Sequence, residues 1–125
     1  MGNYGAINHF SDLETWRLAR KVRIAAYKII KTLPDVEKYS LGTQLRRSAT
    51  SVTANIAEGF ERGSNKEFIH FLYYAKGSCS ELRTQIYLAN NIGIIDKEIG
   101  DKIILRTKMI SGKIFNLIKV RKERF

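Results

Sequence analysis

One cysteine, one proline and two histidines occur among 125 residues, and each scarcity removes a class of chemistry. Cys79 alone cannot close a disulfide within the chain. With only His9 and His70 beside it, no zinc or iron centre of the usual cysteine/histidine kind can be assembled. No metal and no other cofactor is expected. No apolar run approaches the roughly 18 residues needed to cross a bilayer. The first residues also lack the basic, apolar and small-residue series of an export signal. A soluble protein of the reducing cytoplasm with no membrane partner is the expectation.

Catalytic constellations are equally scarce. Nothing resembles a Ser-His-Asp set, and His70 and Glu81, eleven positions apart on one segment, are too little for an acid/base pair. The paired Glu-x-x-His pattern of di-iron bundles is absent. The stretch "GFERGSN" looks like a glycine-rich phosphate loop but lacks both the Gly-Lys-Ser/Thr ending and a preceding strand. It reads as a helix stop followed by a helix start. No catalytic residue and no enzyme activity are expected.

Positive charge is plentiful. Twenty-two Lys and Arg against twelve Asp and Glu leave a formal net charge of +10, which at this size favours polyanionic partners. The excess is unevenly spread: +4 in residues 1–34, none in 35–63, +1 in 64–95 and +5 in 96–125. The chain is one domain long enough to bury a core.

Apolar residues recur with the helical period rather than alternating. A first helix is predicted from about 12 to 33, opened by a Ser11/Glu14 capping box and stopped by Pro34, with Trp16, Ala19, Val22, Ala26, Ile29, Ile30 and Leu33 inward. A second runs from about 36 to 58 on Leu41, Leu45, Ala49, Val52 and Ile56, with Gly59 as its C-terminal cap. A third spans about 65 to 92, started by Ser64 with Glu67 and stopped near Gly93. Its inward residues are Phe68, Phe71, Leu72, Ala75, Cys79, Leu82, Ile86 and Ala89. The fourth covers about 96 to 122 on Ile99, Ile103, Ile110, Ile114 and Leu117. Short connections make successive helices antiparallel, so the fold class is an all-α, up-and-down four-helix bundle.

Several rows of side chains remain once the core is assigned. Gln44, Ser48, Ser51 and Asn55 lie beside the second helix's apolar stripe, and such small and amide side chains suit a contact between helices or subunits, or a contact to RNA. Arg47 could pair with Glu58 or Glu81, whereas Arg46 projects to another side; either arginine could bind phosphate instead. On the third helix Ile69, Tyr73, Tyr87 and Leu88 project away from the core face, with Gly77 and Ser80 in the same sector. A helix apolar on two sides is buried on two sides, so a homo-oligomer is expected. The tyrosines could alternatively stack on unpaired bases. Arg17, Arg20, Lys21, Lys28 and Lys31 form one basic face on the first helix, and Lys102, Arg106 and Lys113 a second on the fourth. With Arg46 these are the candidate nucleic-acid contacts, to phosphate ahead of bases, with RNA preferred over DNA.

"QLRRSATSVTANIAEG" from Gln44 to Gly59, "KEFIHFLYYAKGSCSEL" from Lys66 to Leu82 and "FSDLETWRLA" from Phe10 to Ala19 resemble the four-helix-bundle proteins encoded by intervening sequences of bacterial 23S rRNA genes. The resemblance extends over nearly the whole chain. It implies a left-handed antiparallel bundle, a ring of five chains, and kinship with accessory proteins of diversity-generating retroelements, which are thought to bind nucleic acid and a reverse transcriptase. Gln44, Arg46, Arg47, Ser51, Asn55, Glu58, Gly59, Gly77, Ser78 and Glu81 occupy the family's characteristic positions. Many relatives carry proline where Thr53 stands and alanine where Ser48 stands, so a straighter second helix is implied here. No enzyme activity follows. Two functions fit: an oligomeric protein binding structured RNA, ribosomal RNA among the candidates, or a protein-interaction scaffold or accessory subunit, for example of a reverse transcriptase.

Overall fold

A computed structural model describes residues 7–125. A 3-10 turn, Phe10–Asp12, leads into α1 (Glu14–Thr32), followed by the one-turn α2 (Asp35–Lys38), α3 (Leu41–Glu61), α4 (Asn65–Asn91) and α5 (Lys97–Arg124). The four long helices make the expected bundle, with no strand among the described residues. The antiparallel course of α3, α4 and α5 is fixed by two separated contacts in each successive pair. Asn65 at the start of α4 donates to the Arg121 carbonyl at the end of α5 at 3.0 Å, while Asn90 at the end of α4 meets Asp101 near the start of α5 at 3.1 Å. Likewise Ser48 of α3 reaches Gln85 of α4, and Gly59, further along α3, lies against Phe71, earlier in α4.

Leu45, Ile56, Leu72, Leu82, Ile86, Ile103, Ile110 and Ile114 are wholly buried in a single core, the predicted stripes meeting along the bundle axis. Burial of each such side chain is worth about 1.5–3 kcal/mol over exposure. Five expected core residues are not fully buried. Ile99 is exposed, on the side of α5 that borders a cleft beside α1. Trp16, Leu41 and Leu117 are only partly buried and pack on the core from its margin, and Phe71 is partly buried as well.

Helix ends follow local chemistry, with two corrections. Ser64 accepts from the Glu67 amide at 3.1 Å, capping α4 as expected, and Asp96 accepts from the Ile99 amide at 3.1 Å, capping α5. Gly93 adopts a positive φ of 73° after α4. Ser11, however, does not cap α1: it lies inside the 3-10 turn, where Asp12 accepts from the Asn8 and His9 amides. α1 starts at Glu14 without a side-chain cap. The helix predicted from 36 to 58 is broken at Tyr39 and Ser40 and then runs past its expected end to Glu61. The break leaves Val36 and Tyr39 exposed, so nothing apolar holds α2 in line with α3.

Gly59 is therefore no cap. It is buried inside α3 at the closest approach to α4, where a Cβ would fall 2.6 Å from the Phe71 Cβ. The turn is made by Gly63, whose φ is +81°, a left-handed conformation that costs glycine nothing.

Candidate nucleic-acid interface

α1 and α5 pack side by side, and along their seam run three clefts. At one end Arg17 and Lys113 border a cleft of about 370 Å³. Lys21 and Arg106 flank the middle one, of about 200 Å³, over an apolar floor of Leu18, Val22 and Ile110. Lys28 stands beside the third, of about 420 Å³, which Ala25, Ile29, Ile94 and Ile95 line. The helical periodicity that turns one face of α1 inward leaves the next strip of residues on this groove. Packing against α5 then adds the second row of cations opposite. From Arg17 to Lys28 the groove extends roughly 16 Å at about 1.5 Å per residue, a span of several phosphates.

The expected basic residues are thus divided rather than gathered. Arg17, Lys21, Lys28, Arg106 and Lys113 border the groove. Arg20, Lys31 and Lys102 are exposed on its flanks. Carboxylates enter at the ends only: Asp12 and Glu14 with Arg17, and Asp96 with Lys28. Glu14 holds the Lys113 ammonium at 3.3 Å, so Lys113 brings less free charge than its sequence position suggests. The middle, around Lys21 and Arg106, has no acid lining it.

Arg46 and Arg47 belong to another face. They border a cleft of about 440 Å³ between α1 and α3 with Arg23, Tyr27 and Thr50. The expected pairing of Arg47 with Glu58 or Glu81 does not form; Glu58 binds Arg62 at 2.9 Å instead, one turn along α3. Arg23 and Tyr27 went unnoticed in the sequence. Their four-residue spacing on α1 was visible, but only packing shows which residues of α3 they meet.

The small-residue row is internal architecture. Ser48 donates to Gln85 at 2.7 Å in the core, the Ser51 and Ser78 hydroxyls meet at 2.8 Å, and Asn55 donates back to Ser51. The Ser48–Gln85 and Ser51–Ser78 bonds join α3 to α4 within one chain, while the Asn55 bond stays within α3. Gln44 stays exposed at the row's end.

The outer face of α4 does carry exposed apolar side chains: Tyr73, Tyr87 and Leu88 are 46%, 43% and 57% accessible. Gly77 has open space above it, and Glu81 is exposed beside it. Lys122 donates to the Tyr73 hydroxyl at 2.9 Å and lies over its ring. Ile69 departs from the expectation, being partly buried against the core.

On the inner side of α4, Arg83 donates to the Thr107 hydroxyl and carbonyl and to Ser111 of α5. Cys79 donates to the same Thr107 carbonyl, and burial pushes its thiol above the ordinary value. Among the described residues no group of His, Cys, Asp and Glu could hold a metal ion, and no helix is long and apolar enough to cross a membrane.

Fold and surface together define a basic four-helix-bundle protein with its cations ranged along helix seams. The chain belongs to the 23S rRNA-intervening sequence protein family, whose model matches residues 11–116. No curated protein matches it. Among solved structures, a protein of unknown function from the S23 ribosomal protein family of Bacteroides thetaiotaomicron is similar, with a TM-score of 0.78 and 23% identity. The match covers 84% of this chain and 98% of that one, and at that identity it supports the bundle fold.

Proposed function

We propose that this is a non-enzymatic, cytoplasmic, homo-oligomeric protein that binds structured RNA through its phosphates, with the α1/α5 groove as the contact. The observation that carries the reading is the placement of Lys21 and Arg106 across an acid-free middle section, with Arg17 and Lys28 continuing the line. Lysines and arginines so arranged displace counterions from a polyanion without reading its bases. Repetition of the groove in each subunit multiplies the field. The exposed Tyr73, Tyr87 and Leu88 support the oligomer, since large side chains on one helix face lower the free energy of the solution when covered.

The test is fluorescence anisotropy of a structured RNA across a salt series. Log affinity should fall with log salt by about 0.9 per duplex phosphate neutralised. The triple variant Lys21→Glu, Lys28→Glu, Arg106→Glu should flatten that slope by roughly 2–3 while the circular dichroism of the bundle stays unchanged. An unchanged slope would remove the groove from the binding surface. It would favour the scaffold reading, in which the exposed face of α4 receives a protein partner.

A further inference from the structure

The cleft between α1 and α3 has a composition unlike the rest of the surface. Three guanidinium groups, Arg23, Arg46 and Arg47, border about 440 Å³ together with the hydroxyl residues Tyr27 and Thr50, and no carboxylate lines it. The ion pairs of the described residues all lie elsewhere. Arginines this close repel one another, and a protein normally relieves that by placing an acid among them. Here hydroxyls hold Arg23. Arg23 donates through Nε to the Thr50 hydroxyl at 3.0 Å and through Nη2 to the Tyr27 hydroxyl at 3.4 Å. Its guanidinium stands 4.7 Å from the centre of the Tyr27 ring, and that of Arg46 stands 5.7 Å from the same ring. A neutral ring and a neutral hydroxyl position the cations without cancelling their charge.

We propose that this cleft is a binding site for a phosphate monoester, the dianionic group carried by a nucleotide or by the phosphorylated end of a nucleic-acid strand. Phosphate of this kind bears a charge of about −1.5 to −2 at neutral pH and offers three strong acceptor oxygens. Guanidinium forks match those oxygens two at a time. An internal phosphodiester has a single charge and two free oxygens, and would leave two of the three arginines without a counter-charge where the dianion leaves one. Tyr27 is not a stacking platform for a base, because its ring is already engaged by two arginines. The Tyr27 phenol is pulled below its ordinary value, first by its bond to Thr50 and to a lesser degree by Arg23 and Arg46.

This site is separate from the α1/α5 groove and does not rest on it. The test is calorimetric and anisotropy titration of the full chain with adenosine 5′-monophosphate, with adenosine as control, and with one short single-stranded RNA prepared with a 5′-phosphate, a 3′-phosphate or hydroxyl ends. Expected is at least a tenfold preference for a phosphate-bearing member over its unphosphorylated partner. The exposed pair Arg46→Gln, Arg47→Gln should abolish that preference, while Lys21→Glu with Arg106→Glu should leave it intact even as overall RNA affinity falls. A response to the mononucleotide identifies a free ligand as sufficient; a response confined to strand ends identifies the nucleic-acid terminus as the source. Equal affinity across each pair, or a preference that survives Arg46→Gln, Arg47→Gln, overturns the proposal.

Discussion

Gly59 and Gly77 show how one residue type carries opposite consequences in the same bundle. Alanine at 59 would bring its Cβ to 2.6 Å from the Phe71 Cβ and 3.3 Å from the Phe68 carbonyl oxygen, atoms that move only if α3 and α4 separate. Overpacking of that kind costs about 1–3 kcal/mol, more than the roughly 0.5–1 kcal/mol that alanine gains inside a helix. Gly59→Ala should therefore lower the urea midpoint. Gly77→Ala, with open space around it, should raise the stability of the dissociated chain by about 0.5–1 kcal/mol. Cys79 supplies a pH-dependent counterpart. Because burial raises its folded value above the ordinary 9.0, the unfolded chain loses that proton first. The stability this thiol contributes is whole below pH 9 and declines as pH rises beyond it. Cys79→Ala should show a shallower alkaline loss than the parent protein in matched denaturation curves, and the native thiol should react slowly with aromatic disulfide reagents.

At the level of elements, α4 and α5 are joined by a polar seam as well as by apolar packing. Arg83 makes three hydrogen bonds to Thr107 and Ser111, and no carboxylate is needed because its head remains partly exposed. Arg83→Ala should destabilise the bundle by about 1–3 kcal/mol, measured by thermal or urea unfolding, with little effect on RNA affinity. The opposite end of the same pair is clamped by Asn65 and Arg121, which exchange bonds of 2.8 and 3.0 Å while Arg121 also covers Phe68. That clamp lies in the last turn of α5, which ends at Arg124, close to the end expected at about 122.

For the whole molecule, the decisive quantity is how much of the outer surface becomes covered in solution. Beyond Tyr73, Tyr87 and Leu88, α5 presents Leu105 at 66% and Phe115 at 54% exposure. Light scattering is expected to give a multiple of the single-chain mass. Leu88→Lys with Tyr87→Lys should reduce it towards one chain without unfolding the bundle, whereas a single-chain mass for the parent protein would overturn the oligomer.

The all-helical class, the four long segments and most of the core were legible in the pattern of residues, because an apolar stripe of helical period can be buried in few other ways. Composition likewise showed the charge and the scarcity of metal ligands. What neighbours do to one another emerged from the packing. Gly59 looked like a cap because a helix followed by glycine commonly ends there; contact with Phe71 makes it a packing position instead. Ser48 acquired Gln85, and Ser51 acquired Ser78, from the α3/α4 register. Lys113 found Glu14 across ninety-nine positions of chain, and Arg23 found Thr50 and Arg46. Periodicity assigns each residue a face, whereas the rotation and register of packed helices decide which faces meet, and those follow from the fit of all the side chains at once.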